Sequence, residues 1–157
     1  MTILRLFTDG SVNPKSKVGY GAYLALLLEV PYSVSFKADV KVKKFEQTSS
    51  VKLEIQTLIW ALTSIQKPAS RIIVYTDSQN IIGLQARRGR LEKKDYLSKK
   101  NRPINNSALY QEFFYLSDQL NCEFKKVKGH KPSQLKDEAE QFFTLVDKAS
   151  RKALRNH

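Results

Sequence analysis

The chain has 157 residues, about one domain's length, and 27 Lys and Arg against 15 Asp and Glu, for a formal net charge of +12. At 41% hydrophobic residues it can bury one sizeable core, while its longest apolar run, Ala22 to Leu28, is strand length and too short to span a membrane. One cysteine, Cys122, excludes an internal disulfide and a cysteine-built zinc site, and two histidines exclude a histidine-rich metal centre.

Ile3 to Thr8 reads as a buried strand ended by the turn signal Asp9-Gly10-Ser11, with a loop following through Asn13-Pro14. Two β-rich runs come next, Val18 to Leu28 and Tyr32 to Val40, joined by a plausible hairpin turn at Glu29-Val30-Pro31. Thr48-Ser49-Ser50 caps a helix running to about Gln66, with Val51, Ile55, Leu58, Leu62 and Ile65 at the helical period. Trp60 on that helix is expected to be a packing residue. Arg71 to Thr76 is a second buried strand, and Asp77-Ser78-Gln79 opens another helix. A helix from about Ser107 to Leu120, a strand Cys122 to Val127 and a last helix from about Gln134 to Leu154 complete the order. The last helix has a core stripe Leu135, Ala139, Phe142, Val146, Ala149 and Ala153. The expectation is an α/β fold in one domain, 1–157: a mixed five-stranded sheet of three antiparallel strands then parallel ones, with helices on its faces.

The charge points to a polyanion, because Lys and Arg displace the counterions of a phosphate backbone. Arg87, Arg88, Arg90, Lys93, Lys94, Lys99, Lys100 and Arg102 crowd one segment opposed only by Glu92 and Asp95, which suggests a protruding basic element at about 87–102.

Four carboxylates stand where they are not comfortable. Asp9 and Asp77 each follow an apolar strand, at the strand ends that line the ligand crevice of an open sheet. A turn-forming Asp9 and a helix-capping Asp77 are the plainer alternatives. Glu54 borders the core-facing stripe of its helix, where an unpaired carboxylate is costly, although a first-turn glutamate also favours the helix dipole. Asp147 repeats the pattern on the last helix, on a line with Phe143, Ser150 and Leu154. Converging acids repel unless cations neutralise them, and all-oxygen ligation selects hard ions such as Mg²⁺ or Mn²⁺.

Phe7-Thr8-Asp9-Gly10-Ser11, Gly19-Tyr20-Gly21-Ala22, Leu53-Glu54, Tyr75-Thr76-Asp77-Ser78-Gln79, Val127-Lys128-Gly129-His130 and Val146-Asp147-Lys148-Ala149 together resemble ribonuclease H of type 1. The resemblance runs over nearly the whole chain, in order, and implies the ribonuclease H-like fold. It implies an endonuclease that hydrolyses the RNA strand of RNA–DNA hybrids with two Mg²⁺ ions (Mn²⁺ substituting), leaving a 5′-phosphate and a 3′-hydroxyl. Asp9, Glu54, Asp77 and Asp147 match the metal-binding acids, and His130 the histidine that assists proton transfer or product departure. Spacing alone makes Glu140 a rival to Asp147, since the stretch from His130 is longer than is common in the family. The resemblance also assigns Ser11, Asn13 and Gln79 to the RNA strand, whose 2′-hydroxyls distinguish it from DNA. Ser50 and Val51 stand where the family often has a pair of asparagines, Ser49 and Ser50 can still donate to a DNA phosphate, and Arg87, Arg88, Arg90, Lys93 and Lys94 fall in its basic protrusion. The family's tryptophans are absent there, so grip is expected to rest on charge. A cytoplasmic monomer with no membrane partner is expected, the opening residues having no secretory pattern. Two other readings share these residues: a DNA-directed nuclease on the same fold, and a hybrid-binding module without catalysis.

Overall fold

A computed structural model describes residues 3–27, 39–65, 69–128 and 137–157. The elements are β1 (Ile3–Asn13), β2 (Val18–Leu27), β3 (Lys41–Phe45), α1 (Ser50–Ser64), β4 (Arg71–Thr76), α2 (Gln79–Lys93), α3 (Ser107–Gln119), β5 (Cys122–Lys126) and α4 (Glu138–Arg155). They form one five-stranded sheet in the order β3-β2-β1-β4-β5. The β1–β2 and β2–β3 pairs are antiparallel, and β1–β4 and β4–β5 are parallel, as the sequence predicts.

β1 is buried on both faces and its side chains alternate between two cores. Leu4 and Leu6 join Ile55, Leu58 and Leu62 of α1, Val74, and Phe113 and Phe114 of α3. Phe7 instead joins Ala22, Leu24 and Phe143 and Val146 of α4. Trp60 packs edge-on against Tyr23, with ring centroids 4.8 Å apart.

Three expectations need correction, and one strand was not expected. β1 does not end at Thr8: it continues to Asn13, with Asp9 opposite Ala22 and Gly10 opposite Gly21. The antiparallel partner supplies the hydrogen bonds that overrule the turn preference of Asp-Gly-Ser, and α1 lies so close that a Cβ on Gly10 would stand 2.9 Å from Leu53 Cδ2. A strand that pairs with β2 lies at Lys41–Phe45, just beyond the expected run Tyr32 to Val40, most of which lies outside the described residues. Of that run only Asp39 and Val40 lie within the described residues, and they precede the strand. On α1, Val51 is 41% exposed, and Leu53 and Thr57 are buried over the β1–β2 glycines instead. The face of α4 that presses on the sheet is likewise rotated from the expected stripe: Phe143, Val146 and Ser150 are buried, and Ala149 and Ala153 only partly.

Candidate active site

The acidic centre follows from unequal strand lengths. β1 and β4 run parallel with Phe7 opposite Tyr75, but β4 stops at Thr76 while β1 continues beside β2. Asp9 and Asp77, each two residues beyond that matched pair, therefore sit together at the step where the sheet loses a strand. Asp9 shares its side of β1 with Phe7 and faces α4, where Asp147 hydrogen-bonds to it. Burial, the charge of Asp77 and the hydrogen bond with Asp147 push the Asp9 carboxyl up to about 8. At neutral pH Asp9 thus holds its proton.

Glu54 arrives from the opposite face of the sheet, on the second turn of α1. Its Oε2 accepts a 2.6 Å hydrogen bond from the Ser78 hydroxyl. Burial raises its pKa and the charge of Asp77 raises it further, against the opposing effect of the Ser78 hydrogen bond. Ser78 Oγ also accepts from Ile81 N at 3.1 Å, so Ser78, and not Asp77, is the N-cap of α2. This removes the plainer explanation of Asp77. Sequence reasoning passed over Ser78, although a serine three residues before a buried isoleucine is an ordinary capping signal.

A hydroxyl contact ties α4 to β1. The Ser11 and Ser150 hydroxyls meet at 3.1 Å, and Ser150 Oγ donates to the Asp147 carbonyl at 3.1 Å. Asp147, 24% exposed, is held by Arg151 Nε at 2.9 Å. Glu140 is engaged elsewhere: it closes a capping box with Asp137, its N–H donating to Asp137 Oδ1 at 2.8 Å. Two turns of helix, about 10 Å, separate it from Asp147. Of the two rivals, Asp147 is the one that acts on Asp9.

Among the described residues no three acidic, histidine or cysteine side chains form a ready-made ligand cage. Glu54 is drawn toward Ser78 and Asp147 toward Arg151. The donor set nevertheless suits a hard cation: all oxygen, convergent, and with Asp9 protonated for want of positive charge.

The other candidate positions divide. Asn13 Oδ1 accepts from Lys15 N at 2.9 Å and so builds the β1–β2 turn. Ser49 caps α1 by accepting from Lys52 N at 3.3 Å, and Ser50 begins that helix, exposed. Gln79 Oε1 accepts from Lys126 Nζ at 2.8 Å beside the acids, which adds a lysine that sequence reasoning did not single out. Arg88 faces α3 rather than solvent: its guanidinium grips Asp118 through two hydrogen bonds of 2.8 and 2.6 Å and lies 4.9 Å from the Phe114 ring centre. Arg87 donates to Asn80 Oδ1 at 2.9 Å. Arg90 and Lys94 line a cleft of about 590 Å³ with Lys99, Leu91, Tyr96 and Ile104, and Leu97 on its wall makes an isolated β-bridge with Pro103. Lys93 is exposed at the end of α2. His130 lies outside the described residues.

The family model described as RNase H matches residues 1–153. The chain is 29% identical over 152 residues to a ribonuclease H of Caldicellulosiruptor saccharolyticus, covering 93% of this chain and 97% of that one. It is 28% identical over 129 residues to a ribonuclease H of Zymomonas mobilis, covering 82% of this chain and 78% of the relative. Among solved structures, a type 1 RNase H described as having the type 2 active-site motif superposes with a TM-score of 0.71 at 18% identity, covering 96% of this chain and 71% of that chain. A foamy viral protease-reverse transcriptase solved in complex with an RNA/DNA hybrid superposes with a TM-score of 0.68 at 10% identity, covering 96% of this chain and 19% of that chain. At these identities the structural matches establish the shared fold.

Proposed function

The chain belongs to the RNase H family of endoribonucleases, and from that premise we propose that it hydrolyses the RNA strand of RNA–DNA hybrids with two divalent cations held by Asp9, Glu54, Asp77 and Asp147. The observation that carries this reading is the placement of Asp9 beside Asp77 and bonded to Asp147 at the step between β1 and β4, an arrangement that also raises its pKa. Bound there, Mg²⁺, or Mn²⁺ in its place, would supply an activated water and stabilisation of the departing 3′ oxygen. The chain's own groups do the rest. Asp9 surrenders its proton as positive charge enters, Ser78 keeps Glu54 aimed at Asp77, and Arg151 keeps Asp147 on the flank of α4. His130 carries a proton to or from the reacting group, which leaves a 5′-phosphate and a 3′-hydroxyl. Gln79 and Ser11, next to the acids, contact the RNA strand, and Asn13 offers its amide nitrogen. Ser49 and Ser50 meet the DNA strand. Arg90, Lys93 and Lys94 hold phosphates at the far end of α2, while Arg88 orders that end. One domain, 1–157, carries all of these groups, and a monomer suffices.

Cleavage of an RNA–DNA hybrid, duplex DNA and duplex RNA in Mg²⁺ and in EDTA tests the proposal. The hybrid alone is cut, EDTA stops cleavage, and Asp77→Asn lowers the rate about a thousandfold or more with the fold intact. Undiminished Mg²⁺-dependent turnover by Asp77→Asn overturns it.

A further inference from the structure

The proposed reading places its basic phosphate contacts on α2 only. α4 packs on the opposite face from α1 and α3, and its second half carries a separate group of cations. Lys148, Lys152 and Arg155 follow one another at i, i+4 and i+7, which aligns them over about 10 Å of helix, with Arg151 beside them. All four are exposed. Together with Val40 and Leu145 they line a groove of about 620 Å³ between α4 and the β3 side of the sheet. Among the described residues no acidic one lines it. The nearest opposing charge on the helix is Asp147, already paired with Arg151.

We infer that this groove is a second contact for the phosphate backbone of the hybrid, continuing from Asp147 on the side away from α2. The inference rests on the hybrid-cleaving reading. Three features favour a phosphodiester backbone as the occupant. The cations are aligned rather than scattered, they begin at the residue after a proposed ligand of the scissile site, and their charge complements phosphate. The apolar floor of Val40 and Leu145 accommodates sugar edges beside the phosphates.

The test uses the full chain with Lys148, Lys152 and Arg155 all changed to Gln, which keeps helix propensity and leaves Arg151 on Asp147. Binding to a hybrid of two helical turns is followed as a function of salt, and cleavage of a half-turn hybrid is measured alongside. The triple variant should weaken two-turn binding and reduce the slope of log K against log salt by about 2–3, with half-turn cleavage unchanged. A wild-type slope and affinity on the two-turn hybrid overturns the inference, as does an equal loss on both lengths. An unchanged hybrid slope with lost binding to polyglutamate also overturns it, in favour of an acidic protein partner. Should the wild-type protein cut neither hybrid, the catalytic reading falls, while the slope comparison still decides the groove.

Discussion

Asp9 is the residue on which the electrostatics turn. Its ordinary carboxyl value of 3.8 in the unfolded chain rises to about 8 in the folded one. Between those values the folded state binds a proton that the unfolded state has released, so metal-free stability falls as pH rises from about 4 to 8 and levels off above. Glu54, also raised by burial, acts in the same direction. Urea unfolding in EDTA should therefore show lower stability at pH 8 than at pH 5. Asp9→Asn should flatten that difference and raise stability at pH 8 by about 1–3 kcal/mol, since an amide carries no charge to desolvate. Equal pH dependence in both proteins would contradict the assignment. The acids were legible in the sequence as carboxylates in awkward places. The Ser78 bond to Glu54 was not, because a cap and an acid 24 residues apart share no local pattern.

At the scale of elements, α1 lies close to the β1–β2 hairpin because glycines there leave room for it. A Cβ on Gly21 would collide with the Thr57 side chain, whose buried hydroxyl has no hydrogen-bond partner among the described residues. Gly21→Ala should cost about 1–3 kcal/mol. Adding Thr57→Ala should recover part of it, since that change removes the two nearest atoms, Oγ1 and Cγ2, with the unsatisfied oxygen, and leaves only Cβ at 2.9 Å. Additive losses in urea unfolding would show that the two do not meet. Helix and parallel-strand positions were readable from periodicity and from the apolar runs ILRLFT and RIIVYT. β3 was not, because Lys41-Val-Lys-Lys-Phe is an edge strand paired on one side only and rich in lysine. The register of α4 was misread for a related reason: Ser150 looks like a surface residue until Ser11 is seen to meet it. On α2, neighbouring arginines have different tasks. Arg88→Ala should cost stability, through the lost grip on Asp118 and Phe114, and leave the salt slope of hybrid binding nearly unchanged. Arg90→Ala should reduce that slope by about 1 with stability unchanged. Reversed outcomes would place Arg88, and not Arg90, on the phosphates.

Taken as a whole molecule, the chain sets Asp9 against Asp77 and Asp147, and Glu54 against Asp77, inside a protein of net charge +12, and the proposed reading draws all four to one point. The positive field draws a polyanion in, and the acidic centre makes it useful only if cations come too. That convergence is the central claim, and Mn²⁺ binding followed by calorimetry at pH 7 with proton release measured in parallel tests it most directly. The wild-type protein should take up Mn²⁺ and release a proton from Asp9. Asp9→Asn, Glu54→Gln and Asp77→Asn should each bind at least about tenfold more weakly. Wild-type Mn²⁺ affinity in any two of those variants would contradict the account.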